Sequence, residues 1–229
     1  MSSFKKYVKS NTTRALRNSF RQVGVEWGIN WRHWSSARKA RRFLQHLPLK
    51  LNLGCGPNHK PGWQNIDLFD SNADFQLDLR EPWPFPDSCV AHIYSEHVFE
   101  HFEISDEVPH ILSESLRVLE PGGVFDVGVP DSEWPLRAYG IPDDDYWTFA
   151  PKWHPENCET QLDHINYHFR QGTEHKYAWD EETLRRALEK SGFSRVVRRS
   201  FDPSLDIEYR KTGTLYMRGI KPSPPSPLG

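Results

Sequence analysis

A short apolar run, Leu51-Asn52-Leu53, breaks off at Gly54-Cys55-Gly56, and this strand-then-glycine turn constrains the fold more than any other stretch. The run reads as a buried parallel strand. The glycines read as the turn at its carboxyl end, where a backbone without side chains comes close to a ligand. Alone, such a turn is weak grounds for a nucleotide-like cofactor. The order of features behind it strengthens it. Asn65-Ile66-Asp67-Leu68, Gln76-Leu77-Asp78-Leu79 and Ala91-His92-Ile93-Tyr94 read as three further strands, the last running into Ser95-Glu96-His97. Leu116-Arg117-Val118-Leu119-Glu120-Pro121-Gly122-Gly123 ends a helix, and residues 124–130 form the next strand. Residues 57–63, with two prolines and a glycine, are too few for the dozen or more of an ordinary parallel crossover, so the first crossover is abbreviated.

Several of these motifs occur together and in order. Residues 51–131 resemble the class I S-adenosylmethionine-dependent methyltransferases, and most of all a small branch whose second strand reads Gly-Trp-x-Asn-Ile-Asp, here Gly62-Trp63-Gln64-Asn65-Ile66-Asp67. The Glu96-His97-Val98-Phe99-Glu100-His101 run and the Pro121-Gly122-Gly123 turn match as well. The resemblance implies an α/β, Rossmann-like fold: a mostly parallel seven-stranded sheet with an antiparallel edge strand. It implies S-adenosylmethionine as cofactor, held by Asn52, Leu53, Gly54, Cys55, Gly56, Asp67, Leu68, Asp78, Leu79, Ser95 and Glu96. Asp67 would accept the ribose hydroxyls, and Asp78 with the Leu79 amide would meet the adenine; each acid reads equally as a strand-end turn residue. Methyl transfer from a sulfonium needs alignment and a base for the acceptor proton, which explains why no nucleophile motif stands out.

The base is sought at the carboxyl end of the fourth strand, which selects His97 and Glu96. Histidine titrates near neutrality and so favours His97. His101, one helical turn on, reads as a buttress. A His97/His101 pair beside acids hints at zinc, but a structural site wants four ligands and no cysteine cluster joins them, so no metal is expected. Residues 131–178 are rich in Trp, His, Pro and Asp and read as a substrate-covering insertion, with a short helix at Asp163-His164 to His168; His154, His164 and His168 are further base candidates. Asp180 caps the helix that follows and Gly192 stops it, and residues 195–199 and 214–219 make an antiparallel edge pair.

Charge divides the chain. Residues 1–50 hold 12 Lys/Arg and one acid, Glu26, while the rest holds 17 basic and 30 acidic residues. Residues 1–47 therefore read as a basic helical arm on a domain of residues 48–221, with a disordered Pro/Ser tail at 222–229. A basic helix is expected over 3–23, interrupted by Gly24 and Gly28, with a second helix capped at Ser35 or Ser36 and ending by Leu47. Trp27, Trp31 and Trp34 fall on one stripe, either packed on the domain or set for peripheral contact with an anionic membrane through residues 1–45. No nucleic-acid motif accompanies the charge, so no nucleic-acid partner is expected. Three scattered cysteines, no 18-residue apolar run and no signal-peptide core fit a cytoplasmic protein, peripheral to a membrane at most. The leading function is a methyltransferase acting on a hydroxyl of a small molecule or glycan. Its rivals are a non-catalytic module working through the arm, and a nicotinamide oxidoreductase, which lacks its third fingerprint glycine.

Overall fold

The computed structural model describes residues 13–40 and 48–224. Strands β1 (Leu49–Leu53), β2 (Gln64–Ile66), β3 (Val90–Glu96), β4 (Leu119–Pro130), β5 (Ser194–Arg198) and β6 (Thr214–Ile220) make one sheet in the order β2-β1-β3-β4-β6-β5. The first four are parallel; β6 runs antiparallel between β4 and β5. The register pairs Leu53 with both Ile66 and Ser95, and Ser95 with Val127, so the carboxyl ends of the parallel strands meet at one edge. Leu51, Leu53, Ile66, Ile93, Phe125 and Val127 are fully buried, which is why these strands read as apolar runs rather than alternating ones.

The helices on this sheet follow from local chemistry. Helix α1 (Arg14–Ala40) comes first among the described residues. Helix α2 (Glu107–Val118) is capped by the Asp106 carboxylate and buries Val108, Ile111, Leu112, Ser115 and Val118 at helical spacing. Residues 131–178 contain α3 (Glu133–Ala138), α4 (Tyr146–Phe149) and α5 (Gln161–Arg170), the last opened by a Thr160/Asp163 capping box. They carry a small core of their own, where Ala138, Tyr146 and Ala150 pack against Trp134, Trp147 and Phe149. Part of the aromatic density there is thus packing. Helix α6 (Glu181–Lys190) starts on the Asp180/Thr183 capping box and stops before Gly192, at φ +103°.

Three expectations are corrected. The sheet has six strands among the described residues, not seven, because Gln76–Leu79 does not join the ladder. Phe75 makes one parallel bridge to Ile66, and there β2 ends, since the Asp67 carboxylate turns the chain by accepting from the Phe69 and Asp70 amides. The Gln76 and Asp78 amides donate instead to Ser36 Oγ and His33 Nδ1 on α1 (3.0 and 3.2 Å). Among the described residues the arm is one helix across the expected break: α1 runs through Gly24 and Gly28, each costing only about 1 kcal/mol against alanine, and Ser35 and Ser36 lie inside it. Finally, Trp27, Trp31 and Trp34 do not pack on the domain. They are 77, 73 and 58% exposed, and the face that docks is Ile29, His33, Ala37 and Ala40. The first part of the arm, the expected helix end at Leu47 and the last five residues of the tail lie outside the described residues.

Candidate functional site

Two cavities open at the carboxyl edge of the sheet. The larger, about 580 Å³, is lined by Gly54, Asp67, Leu68, Phe69, Leu77, Asp78, Leu79, His97, Val98, His101, Phe102 and Glu174. Gly54 floors it at φ +60°, and a Cβ there would stand 2.3 Å from Val98 Cγ2, so only glycine fits. The Gly56 amide donates to Asp67 Oδ2 (3.0 Å), closing the turn across 11 residues. With the Phe69 and Asp70 amides on Oδ1, three backbone donors already occupy that carboxylate, out of about four acceptor positions. A ribose diol docking there takes the place of one of them. Asp78 is gripped by Arg80 Nε and Nη2 at 2.9 and 2.7 Å; burial alone would raise its pKa, and the guanidinium outweighs it, leaving the carboxyl below its usual range. A cleft lined by a glycine turn, two carboxylates and apolar side chains fits a nucleoside carrying an amino-acid arm.

The smaller cavity, about 300 Å³, lies between β4, the insertion and residues 209–213. His97, Phe149, Trp153, His154, Tyr167, His168, His175, Tyr209 and Arg210 are among its walls. Trp153 and Tyr209 stack at 6.2 Å and are both half-exposed, forming an aromatic ledge. His97 belongs to both cavities. Its backbone sits at φ +56°, a left-handed conformation rare for a side chain of this size, and its amide donates to Gly128 O. Thr214 Oγ1 donates to Arg210 O and therefore accepts from His97 Nε2 (2.8 Å), which leaves the lone pair on His97 Nδ1. Burial, with Arg210 next, holds the His97 imidazole far below neutrality. The shift runs downward from the near-neutral titration expected of it, and the free lone pair on Nδ1 is what lets the ring accept a proton.

The other residues selected from the sequence fall elsewhere. Glu96 is held by the Tyr94 and Tyr216 hydroxyls, each at 2.8 Å, while its carbonyl takes Arg210 Nη1. It lines a crevice of only about 10 Å³ with Asn52, Gly54 and Cys55. Burial raises its pKa, against the tyrosine bonds. Asn52 spans to Asn58 O and Asn65 Oδ1. Leu53 is core, and burial with the Asp67 charge pushes the Cys55 thiol up to about 12. Ser95 is fully buried with no partner for its hydroxyl. His164 lies behind the cavity wall, sharing a proton with His154 (Nδ1 to Nδ1, 2.9 Å); burial lowers both, His154 to about 4. Sequence reasoning missed Arg210 and Tyr209, which carry no local signal. It also left Glu100 and His175 without a role, although both stand in histidine-rich stretches.

Residues 62–127 match the family model described as a methyltransferase domain. Among solved structures, the chain is similar to one from a Haloferax volcanii complex between the Trm112 methyltransferase activator and a methyltransferase (19% identity, 89% of this chain and 96% of that one, TM-score 0.45). It is similar to a SAM-dependent methyltransferase from Archaeoglobus fulgidus (14%, 81% and 92%, TM-score 0.48) and to human N-acetylserotonin methyltransferase in complex with SAM (14%, 77% and 48%, TM-score 0.44). No curated protein matches the sequence significantly.

Proposed function

We propose that this S-adenosylmethionine-dependent methyltransferase methylates a hydroxyl of a small molecule or glycan seated in the smaller cavity, with His97 as the base. The observation that carries the reading is that His97 borders both cavities, so one side chain reaches the acceptor beside the cofactor's reacting end. Gly54, Asp67, Leu68, Asp78 and Leu79 would hold the cofactor, which supplies an electrophilic methyl on a sulfonium. His97 Nδ1 accepts the hydroxyl proton as the acceptor oxygen takes the methyl, and Thr214 fixes the ring in the tautomer this needs. The Trp153/Tyr209 ledge suits a sugar or aromatic ring, and residues of the 131–178 insertion line the cavity beside it.

The test is methyl incorporation from labelled S-adenosylmethionine into hydroxyl-bearing acceptors. His97→Ala should lower kcat roughly 10²-fold while cofactor affinity stays within a few-fold. Near-normal turnover by that variant rejects the assignment. The outward Trp27, Trp31 and Trp34, within the basic first 50 residues, favour peripheral contact with an anionic lipid surface. Vesicles of anionic phospholipid should sediment the full chain at low salt and release it as salt rises; no retention at low salt removes this reading. Among the described residues no helix is long and apolar enough to cross a membrane.

A further inference from the structure

The wall between the two cavities is built from side chains that neither cavity alone explains. Glu100 stands at its centre, on a 3-10 turn (Phe99–His101) just after β3. Its side chain is 2% exposed, and Oε2 has no hydrogen-bond partner. Burial pushes this carboxyl up to about 8, and a buried polar oxygen with no hydrogen-bond partner calls for an explanation.

Three imidazoles surround it. His101 Nε2 is 3.9 Å from Glu100 Oε1, and His97 Nδ1 is 3.8 Å from the same oxygen. Both separations are too long for a hydrogen bond. The third is His175, brought from far along the chain because the Lys176 and Tyr177 amides both donate to the Glu100 carbonyl (2.7 and 3.2 Å). One donor atom from each of Glu100, His101 and His175 lies within 4.8 Å of the other two. The tautomers are fixed by backbone acceptors. His101 Nδ1 meets Glu174 O (3.1 Å) and His175 Nδ1 meets His168 O (3.0 Å). A carbonyl only accepts, so each Nδ1 carries the proton and each Nε2 keeps its lone pair. Histidines that hold a metal are oriented in this way, by a carbonyl on the far nitrogen.

We propose that Glu100, His101 and His175 bind a divalent transition-metal ion in the wall between the cofactor cleft and the acceptor cavity. Two imidazoles and a carboxylate are the ligand set of an open catalytic zinc site, and they leave a position for a fourth ligand. Bonds of about 2.0–2.2 Å put tetrahedral ligands about 3.3 Å apart, so the present spacing closes onto an ion with small side-chain rotations. His101 opens on the cleft and His175 on the acceptor cavity, which gives an entry path from either side. On the proposed reading of the smaller cavity, the open position faces the acceptor, and the ion would make a bound hydroxyl more acidic beside His97. That consequence rests on the acceptor assignment; the binding itself does not.

The experiment uses the full chain, stripped with a chelator and dialysed, titrated with Zn²⁺ against a chromophoric chelator. One equivalent should bind, and Glu100→Gln and His175→Ala should each weaken it tenfold or more. Glu100→Gln keeps the shape of the buried side chain, so it decides the matter if His175→Ala melts early. The alternative grouping of Cys55, His59 and Asp70 supplies the control, His59→Ala, which should bind zinc as the unaltered chain does. Less than one equivalent, affinity unchanged in Glu100→Gln, or loss in His59→Ala instead overturns the site. S-adenosylhomocysteine binding by the stripped chain, measured alongside, reports on the methyltransferase cleft separately.

Discussion

At Gly54 one hydrogen in place of a methyl group decides whether the cleft has a floor. A Cβ would meet both Val98 methyls, at 2.3 and 2.9 Å, on a backbone at φ +60°. Gly56, at φ +46°, has nothing within 4 Å of such a Cβ. Gly54→Ala should therefore push Val98 into the cleft and weaken S-adenosylhomocysteine binding by tenfold or more. Gly56→Ala should cost mainly the left-handed strain, about 1–2 kcal/mol of stability. Calorimetric titration and thermal melts on the two variants check this, and equal binding by both would remove the turn from the cofactor's floor. The two glycines were legible as a turn in the sequence; their different burdens were not, because Val98 approaches through the fold. The same holds for the histidines. His97 was found from its place at the end of a strand, but its lowered pKa comes from burial and then from Arg210, which local sequence does not carry. His175 comes to Glu100 through two backbone hydrogen bonds, which no side-chain pattern announces.

Elements with their own start and stop chemistry were legible to within a residue or two. Asp180 and Gly192 bound α6 as the cap and glycine rules require, and the antiparallel pair β5/β6 lies within a residue of the expected 195–199 and 214–219. What failed was an element defined by its neighbours. Gln76–Leu79 has a strand's residues, yet β2 stops at Ile66 and offers it no partner past Phe75. Its outward amides go to His33 and Ser36, so a helix side covers what a ladder would have covered. Docking of α1 through Ile29, His33, Ala37 and Ala40 was illegible for a related reason. One isoleucine, two alanines and a hydrogen-bonded histidine make the contact, while the tryptophans, the bulkiest side chains of the helix, face outward. An apolar stripe predicts burial only when no tighter-fitting face competes with it.

At the scale of the whole molecule, one buried charge network joins most of the sheet. Asp126 on β4 is fully buried and accepts from His92 Nε2 (2.7 Å), Arg199 Nε (2.7 Å) and Arg218 Nε and Nη2 (2.9 and 2.8 Å). Arg199 in turn grips Asp206 through two bonds of 2.6 Å, so one network ties β3, β4, β6 and the loop after β5. Burial alone would raise the Asp126 carboxyl; the bonds from His92 and Arg218 and the Arg199 charge reverse this and bring it down to about 2. A carboxyl depressed in the folded chain stabilises it above the unfolded pKa, and that contribution is lost as pH falls through the folded pKa. From the ordinary 3.8 to about 2 the difference amounts to about 2 kcal/mol, present at pH 5 and gone by about pH 2. Asp126→Asn removes the charge and leaves Arg199 short of a partner, which for a buried pair costs about 3–5 kcal/mol, moderated here because Arg218 is partly exposed. Its melting temperature near neutral pH should fall by several degrees. Its stability should decline less steeply than that of the unaltered chain between pH 4 and pH 2, since the difference between the two curves isolates this one carboxyl. Denaturant titrations at stepped pH measure both effects. Parallel curves over that interval would mean that the acid sensitivity lies in other groups, and that the Asp126 carboxyl titrates alike in the folded and the unfolded chain.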